Sequence, residues 1–375
     1  MEDPLLNIDG SQKRKVFIWR LISFLLFFVL ILLIILYTLG VGWKTKIEDK
    51  NNEYEFTLWN PNSSIYTKLI PYIKNVTDEN SQDYIPVEDR IAVFDLDGTL
   101  FCETDPVYFD WIMYTYRVLD DPEYKEKAEE DDKIIANKIR ASSIYDIPSD
   151  IEEKQAGRNL YVFKDMKMDE YMNYTKKILS QNAPGYTNMK RGNAFYQPML
   201  EVVKYLQNND FNIFIVSGAD RFEIRAIIEG KINISESQII GTISNVKASG
   251  QGNNDGLHYQ FTKNDNVILG GELSVLNVKM NKVNTIITEI GKKPVLSFGN
   301  SEGDTSMANF VVNNNKYKSL AFQICCDDIE RENGNLEKAN IMKQLCQDNN
   351  WEAISMKDDW KTIYGSNVKR NLTSK

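Results

Sequence analysis

Two carboxylates, Asp95 and Asp97, stand two residues apart and are followed by Gly98 and Thr99. The residues before them, 91–94, form the apolar run Ile-Ala-Val-Phe, which is too short for a helix and is typical of a buried strand in a parallel sheet. Ligands of open α/β sheets bind outside the carboxyl ends of strands. The pair therefore predicts a phosphoryl-transfer site in which Asp95 is the nucleophile.

Two other predicted strands also end in polar residues. The run 211–216 ends in Ser217 and Gly218, which can present a hydroxyl and backbone N–H groups to an anion. Taken alone, this pair is explained better by an ordinary turn with a serine cap. The run 294–298 opens into the acidic loop 299–304, whose oxygen-rich side chains suit a hard cation. A solvated turn is the alternative for that loop.

Composition excludes several other classes of function. The net charge of −9 and the lack of a long basic stripe argue against a nucleic-acid binder. The four cysteines have no CxxC spacing and His258 is the single histidine, which disfavours a zinc site. Ser-His-Asp and Cys-His mechanisms would depend on that one histidine and are disfavoured too. The four thiols leave open two disulfides or none.

The N-terminal part of the chain predicts a membrane anchor. Residues 1–20 form a polar tail with basic residues, and 21–43 contain no charged residue, which is long enough to span a bilayer. A signal peptide would have a shorter apolar region that ends at small residues. A slight excess of basic residues before the run predicts a cytoplasmic N-terminus, with the catalytic domain extracytoplasmic or lumenal.

The rest of the chain is typical of an α/β domain with an insert. The predicted parts are a juxtamembrane stalk at 44–88, a catalytic core at 89–100 and 193–350, a mostly helical cap at 101–192, and a C-terminal tail at 351–375. Within the core, the Gly- and Asn-rich stretch 239–272 predicts a β-hairpin.

The predicted cap is rich in aromatic residues near its start. They are Tyr108, Phe109, Trp111, Tyr114 and Tyr116. Such stripes usually pack against one another, so they are explained better as the core of the cap. The alternative is a cationic head group of a substrate held over aromatic faces.

The order of these elements resembles the haloacid dehalogenase (HAD) superfamily of phosphatases over residues 88–330. The matching text is Asp95-Leu96-Asp97-Gly98-Thr99, Val216-Ser217-Gly218, Lys282 and Gly299-Asn300-Ser301-Glu302-Gly303-Asp304. The insert resembles the helical cap of the phosphoserine phosphatase-like branch, and the loop is similar to that of phosphorylcholine phosphatase-type enzymes. The resemblance implies a Rossmann-like parallel sheet with an inserted helical cap.

The resemblance also implies a role for each matching residue. Asp95 would attack phosphorus, and Asp97 would protonate the leaving alkoxide and then activate water. The phosphoryl oxygens would be bound by Ser217, Gly218, Lys282 and Thr99. The Mg²⁺ site would be formed by Asp95, Asp97, Asn300 and Asp304. Many members of the superfamily have Asp where this chain has Asn300. The neutral amide of Asn300 can coordinate a metal through its oxygen but adds no negative charge.

Two comparisons within the superfamily sharpen the reaction type. Its ATPase pumps carry Thr where Asp97 stands, and its dehalogenases lack the second Asp. The resemblance therefore implies a membrane-anchored, Mg²⁺-dependent phosphomonoesterase that hydrolyses a small phosphorylated metabolite. Two alternatives stay open: a non-catalytic binding or scaffold protein with the same fold, and a phosphotransferase to an acceptor other than water.

Overall fold

The computed structural model describes residues 10–38 and 56–371. The chain divides into two compact units, Met1–Glu55 and Phe56–Lys375. The candidate site residues all belong to the second unit.

The first unit contains helix α1, Gly10–Thr38. Within the described residues no helix is both long enough and apolar enough to cross a membrane, so the predicted membrane-spanning helix at 21–43 is wrong, and so is the localisation derived from it. The helix begins in the polar, basic tail rather than at the apolar run. Residues 39–43 lie outside the described residues.

The second unit is built on a seven-stranded, mostly parallel sheet, which confirms the predicted α/β class. Its strands are β1 (Ile91–Phe94), β3 (Asn212–Asp220), β4 (Ile239–Ala248), β5 (Val267–Val275), β6 (Leu296–Gly299), β7 (Leu320–Cys325) and β8 (Glu352–Ser355). Two short strands, β2 (Tyr186–Thr187) and β9 (Lys369–Arg370), pair with each other in a separate antiparallel ladder. The order in the sheet is β5-β4-β3-β1-β6-β7-β8, and only the β4–β5 pair is antiparallel. The order reverses at β1, where ligands of such sheets bind.

Helices cover the sheet and make up most of the insert. They are α2 (Ile70–Thr77), α3 (Phe109–Leu119), α4 (Glu130–Ala141), α5 (Ser149–Arg158), α6 (Met168–Leu179), α7 (Gln197–Asn208), α8 (Arg221–Ile228), α9 (Met280–Thr285), α10 (Thr305–Val312), α11 (Leu336–Asn349) and α12 (Met356–Asp359). Helices α3 to α6 fall within residues 101–192. Helix α6 shows why they form: Tyr171, Thr175 and Ile178 recur at helical spacing and are all buried.

Residues 56–88, predicted as part of a stalk, instead pack into the second unit. Phe56 and Trp59 are fully buried, and the Trp59 ring meets Trp360 edge to face at 5.9 Å between centroids. Trp360 comes from the predicted C-terminal tail, which also supplies edge strand β8. These segments are polar on average, so isolated aromatic anchors gave no periodic signal in the sequence.

All four cysteines are free thiols.

Three phenylalanines support the strand ends that carry the polar residues. Phe94 on β1, Phe298 on β6 and Phe322 on β7 are partners in register and fully buried. Their rings stack, with centroids 4.3 Å apart for the first pair and 5.0 Å for the second. This ladder fixes the relative height of β1 and β6, and therefore of the loops that follow them.

We expect Phe322→Ala to lower the free energy of unfolding by about 3–5 kcal/mol, because it removes a buried ring and leaves a cavity. Urea denaturation measures the effect. Phe261→Ala is the matched control, since Phe261 is 60% exposed and its loss should change stability by no more than ~0.5 kcal/mol. Equal effects of the two variants would contradict the role of the ladder.

Candidate active site

The centre of the site is a lysine held between two carboxylates. Asp95 follows β1 directly, Lys282 lies in α9, and Asp304 immediately precedes α10. The Lys282 Nζ donates to Asp95 Oδ1 at 2.8 Å and to Asp304 Oδ1 at 2.5 Å. All three side chains are buried. Asp95 and Lys282, 187 positions apart in the chain, thus meet at one edge of the sheet.

Burial and neighbouring charges shift the pKa values of Asp95 and Lys282. Burial raises the pKa of Asp95 to about 6, helped by the nearby carboxylate of Asp304 and opposed by Lys282. Burial also acts to lower the pKa of Lys282, but the charges of Asp304 and Asp95 outweigh it and the pKa of the lysine is raised. The lysine therefore stays charged, and the two acids share one cation.

The loop after β6 holds Asp304 in place. Its Oδ2 accepts hydrogen bonds from the backbone N–H groups of Asn300 and Ser301 at 3.0 and 3.1 Å, and from the Ser301 hydroxyl at 3.2 Å. Oδ1 is left for Lys282. Since every oxygen of this fully buried carboxylate has a donor, its position is fixed by the loop rather than by solvent.

A tight turn after β1 places the second carboxylate, Asp97. The turn needs glycine at position 98, where φ is +70° and an added Cβ would lie 1.9 Å from Asn300 Nδ2. Thr99 is fully buried in the turn, and its hydroxyl donates to Asn300 Oδ1 at 3.3 Å. Asn300 Nδ2 in turn donates to Glu103 Oε2 at 3.2 Å. The Asp turn and the acidic loop are therefore linked through Asn300.

Ser217 and Gly218 lie at the end of β3, beside β1. The Ser217 hydroxyl accepts from the backbone N–H of Ala219 at 3.2 Å. Asn277, which is fully buried, ties this strand end to α9: its Nδ2 donates to the Ser217 carbonyl at 3.0 Å and its Oδ1 accepts from Thr285 at 2.8 Å. Sequence reasoning missed Asn277, whose only signal is its position shortly before Lys282.

A cavity of about 430 Å³ opens onto these groups. The predicted site residues that line it are Asp95, Asp97, Ser217, Gly218, Lys282 and Asn300. Thr99 and Asp304 are not part of its wall. Each instead forms a hydrogen bond with a residue of the wall, Thr99 with Asn300 and Asp304 with Lys282.

Three charged residues in the cavity wall were missed from the sequence. Glu103 and Asp110 follow the Asp turn in the chain, and Lys279 precedes α9. Burial raises the pKa of Glu103 and that of Asp110 to about 7. Burial, followed by Asp95, Asp110 and Glu103, raises the pKa of Asp97 well above its ordinary value. The one signal for the two acids was their position close after the motif, within a segment assigned to the cap.

The donor chemistry of the site fits a magnesium ion. Among residues 10–38 and 56–371, no group of three or more His, Cys, Asp or Glu side chains is arranged to hold a metal. Magnesium, however, is usually bound through one or two carboxylates, with water and substrate phosphate completing an octahedron of oxygens. Asp95 and Asp304 supply two carboxylates, and an ion bound by both would take the place of the Lys282 ammonium on at least one of their Oδ1 atoms.

Comparisons with known proteins give similarities in structure alone. No family model matches the chain, and no curated protein matches it significantly. A functionally unknown protein from Anaerococcus prevotii is 15% identical, with 79% of this chain and 92% of that one covered and a TM-score of 0.48. A cytosolic 5'-nucleotidase IIIB bound to cytidine is 12% identical, with coverages of 78% and 86% and a TM-score of 0.46.

A third similar structure is a phosphoserine phosphohydrolase-like protein from Francisella tularensis. It is 16% identical, with 68% of this chain and 92% of that one covered and a TM-score of 0.37. Other similar solved structures are described as hydrolases or phosphatases, and some of them as members of the HAD superfamily. Likenesses of this degree carry no conclusion about the activity of this chain.

We expect Lys282→Met to lower the free energy of unfolding by about 3–5 kcal/mol at pH 7 in metal-free buffer, because it leaves Asp95 and Asp304 buried without their cation. Chemical denaturation measures the loss. Lys263→Met, on an exposed loop, removes the same charge and should stay within ~0.5 kcal/mol of the wild type. A loss no larger than that of the control would show that the trio is not an ion-paired unit.

Proposed function

We propose that this protein is a Mg²⁺-dependent phosphomonoesterase of the HAD superfamily that acts on a small phosphorylated metabolite. The observation that carries the proposal is the buried Asp95 carboxylate at the central strand end, joined through Lys282 to Asp304 and facing a cavity. A nucleophilic carboxylate fits this setting, since burial strips it of water and the lysine holds it in one orientation.

The first step forms a covalent intermediate on the chain. An Asp95 carboxylate oxygen attacks phosphorus, the bond from phosphorus to the ester oxygen breaks, and an aspartyl-phosphate results. Asp97 lines the same cavity two residues further on, and its raised pKa keeps a proton available for the departing alkoxide. The alcohol then leaves.

The second step returns the enzyme to its starting state. Asp97, now a carboxylate, takes a proton from water, and the water oxygen attacks phosphorus. The bond from phosphorus to Asp95 breaks, which releases inorganic phosphate. Ser217 and Lys282, which both line the cavity, would donate hydrogen bonds to the phosphoryl oxygens while charge builds on them.

Magnesium would be held by carboxylate oxygens of Asp95 and Asp304 and by the backbone carbonyl of Asp97, with Asn300 supporting the loop. When bound, it would offset the repulsion between the acidic wall and the phosphate dianion. The composition of the wall supports this role, since four carboxyl groups line the cavity with two lysines, Lys279 and Lys282.

We expect Asp95→Asn to abolish hydrolysis of p-nitrophenyl phosphate in the presence of Mg²⁺, because an amide cannot form the acyl phosphate. Release of p-nitrophenol measures the rate. Asp131→Asn, which changes an exposed carboxylate on α4, is the matched control and should retain wild-type activity. Full activity of Asp95→Asn would contradict the assignment of Asp95 as the nucleophile. A wild-type protein that hydrolysed nothing in a broad screen of phosphomonoesters would favour a binding protein instead.

Asp97→Asn should behave differently, since p-nitrophenolate leaves without being protonated. Formation of the intermediate is then retained while its hydrolysis slows, and steady-state turnover falls by about 10²–10⁴-fold. Rapid-mixing kinetics should show a burst of p-nitrophenol close to one per enzyme molecule. A uniformly slow reaction without a burst would contradict the assignment of Asp97 to the second step.

A further inference from the structure

A second cavity, of about 460 Å³, adjoins the catalytic one. We call it the α11 groove. Its wall includes Ile144 and Tyr145 of the insert, Cys326 after β7, and Ile341, Met342 and Leu345 of α11. Most of its lining is apolar, and it contains two carboxylates where the cavity around Asp95 contains four. Pockets of this size, with apolar walls and a few polar groups, are typical of small-molecule sites.

The groove lies beside the catalytic cavity. The two share five wall residues, namely Glu103, Tyr108, Asn300, Ser301 and Gly303. Asn300 belongs to the loop that fixes Asp304, so the shared wall is part of the catalytic framework itself. The groove therefore lies next to the position that a phosphate at Asp95 would occupy.

One face of α11 supplies apolar side chains to the groove. Lys338, Ile341, Met342 and Leu345 recur at intervals of three and four residues, which places them along one stripe of the helix. Met342 is 6% exposed and packs in the core beneath, whereas Ile341 is 51% exposed. The stripe thus extends from the core into open space, where its apolar surface has no protein cover among the described residues.

The walls of the groove are fixed in place across the insert and the core. The Tyr145 hydroxyl donates to the Asn333 carbonyl at 2.5 Å, and the Lys338 ammonium lies 5.0 Å from the centre of the Tyr145 ring. The charged groups in the lining are Glu103, Glu302 and Lys338. A built groove with these fixed walls can hold a ligand without first ordering its own side chains.

We propose that the α11 groove binds the leaving-group half of the substrate, and that this half is apolar: the substrate is a phosphomonoester of an alkyl or aryl alcohol. The inference rests on the proposed function, since it takes the phosphate to lie at Asp95. It follows from two features together, the wall that the two cavities share and the apolar stripe of α11.

Calorimetry with alkyl phosphonates tests the groove without turnover, because their C–P bond is not hydrolysed. With the full chain and Mg²⁺, octyl phosphonate below its micelle concentration should bind at least about 30-fold more tightly than methyl phosphonate, as each buried methylene favours binding. A negative heat-capacity change should accompany the longer chain. Equal affinities, or no binding of octyl phosphonate, would overturn the proposal.

Two variants of α11 localise the effect. Ile341→Asp puts a charge into the groove at a half-exposed position and should reduce the octyl-to-methyl affinity ratio at least about tenfold. Asn340→Asp adds the same charge at the neighbouring exposed position, outside the groove, and should leave the ratio unchanged. Equal reductions in both variants would overturn the location.

The results separate this inference from the proposed function. Hydrolysis of p-nitrophenyl phosphate together with chain-independent phosphonate binding would overturn the groove and leave the phosphatase standing. Chain-dependent phosphonate binding by a protein that hydrolyses no phosphomonoester would support the groove and contradict the phosphatase.

Discussion

The ion-paired trio of Asp95, Lys282 and Asp304 is the constraint on which the site depends. A cation buried with two neighbouring carboxylates offsets the cost of burying their charges, and the lysine ammonium is within hydrogen-bond distance of both. The trio joins the central strand to two segments far along the chain. The phenylalanine ladder behind the strands and Asn277 beside them keep those segments in register. A shift of any one strand would separate a charge from its partner.

Three further acidic residues surround the trio. Asp97, Glu103 and Asp110 line the same cavity, and burial raises the pKa of each. Such a wall repels a phosphate dianion unless a cation joins it, while it also keeps protons at hand for a leaving group. In the proposed function, the same excess of acidic groups would account for both the need for a divalent ion and the role of Asp97 as proton donor.

Much of this framework could be predicted from short-range patterns. The strand before Asp95 and the loop 299–304 were predictable, because an apolar run followed by acids and glycine is typical of a strand that ends at a ligand site. Trp59 and Trp360, by contrast, anchor segments whose average composition is polar, and their contact joins distant parts of the chain. Glu103 gave no signal of its own, since only folding brings it to Asn300. The prediction from the apolar run at 21–43 was wrong, because no helix among the described residues is both long enough and apolar enough to cross a membrane.

The central claim is that Asp95 becomes phosphorylated while Asp304 holds the metal. A crystal structure of the protein with Mg²⁺ and beryllium trifluoride, a mimic of an acyl phosphate, tests it most directly. The account predicts beryllium bonded to an Asp95 carboxylate oxygen, fluorides within hydrogen-bond distance of Ser217 and Lys282, and Mg²⁺ against Asp95 and Asp304. Beryllium bonded to Asp97, or bound away from both carboxylates, would contradict it.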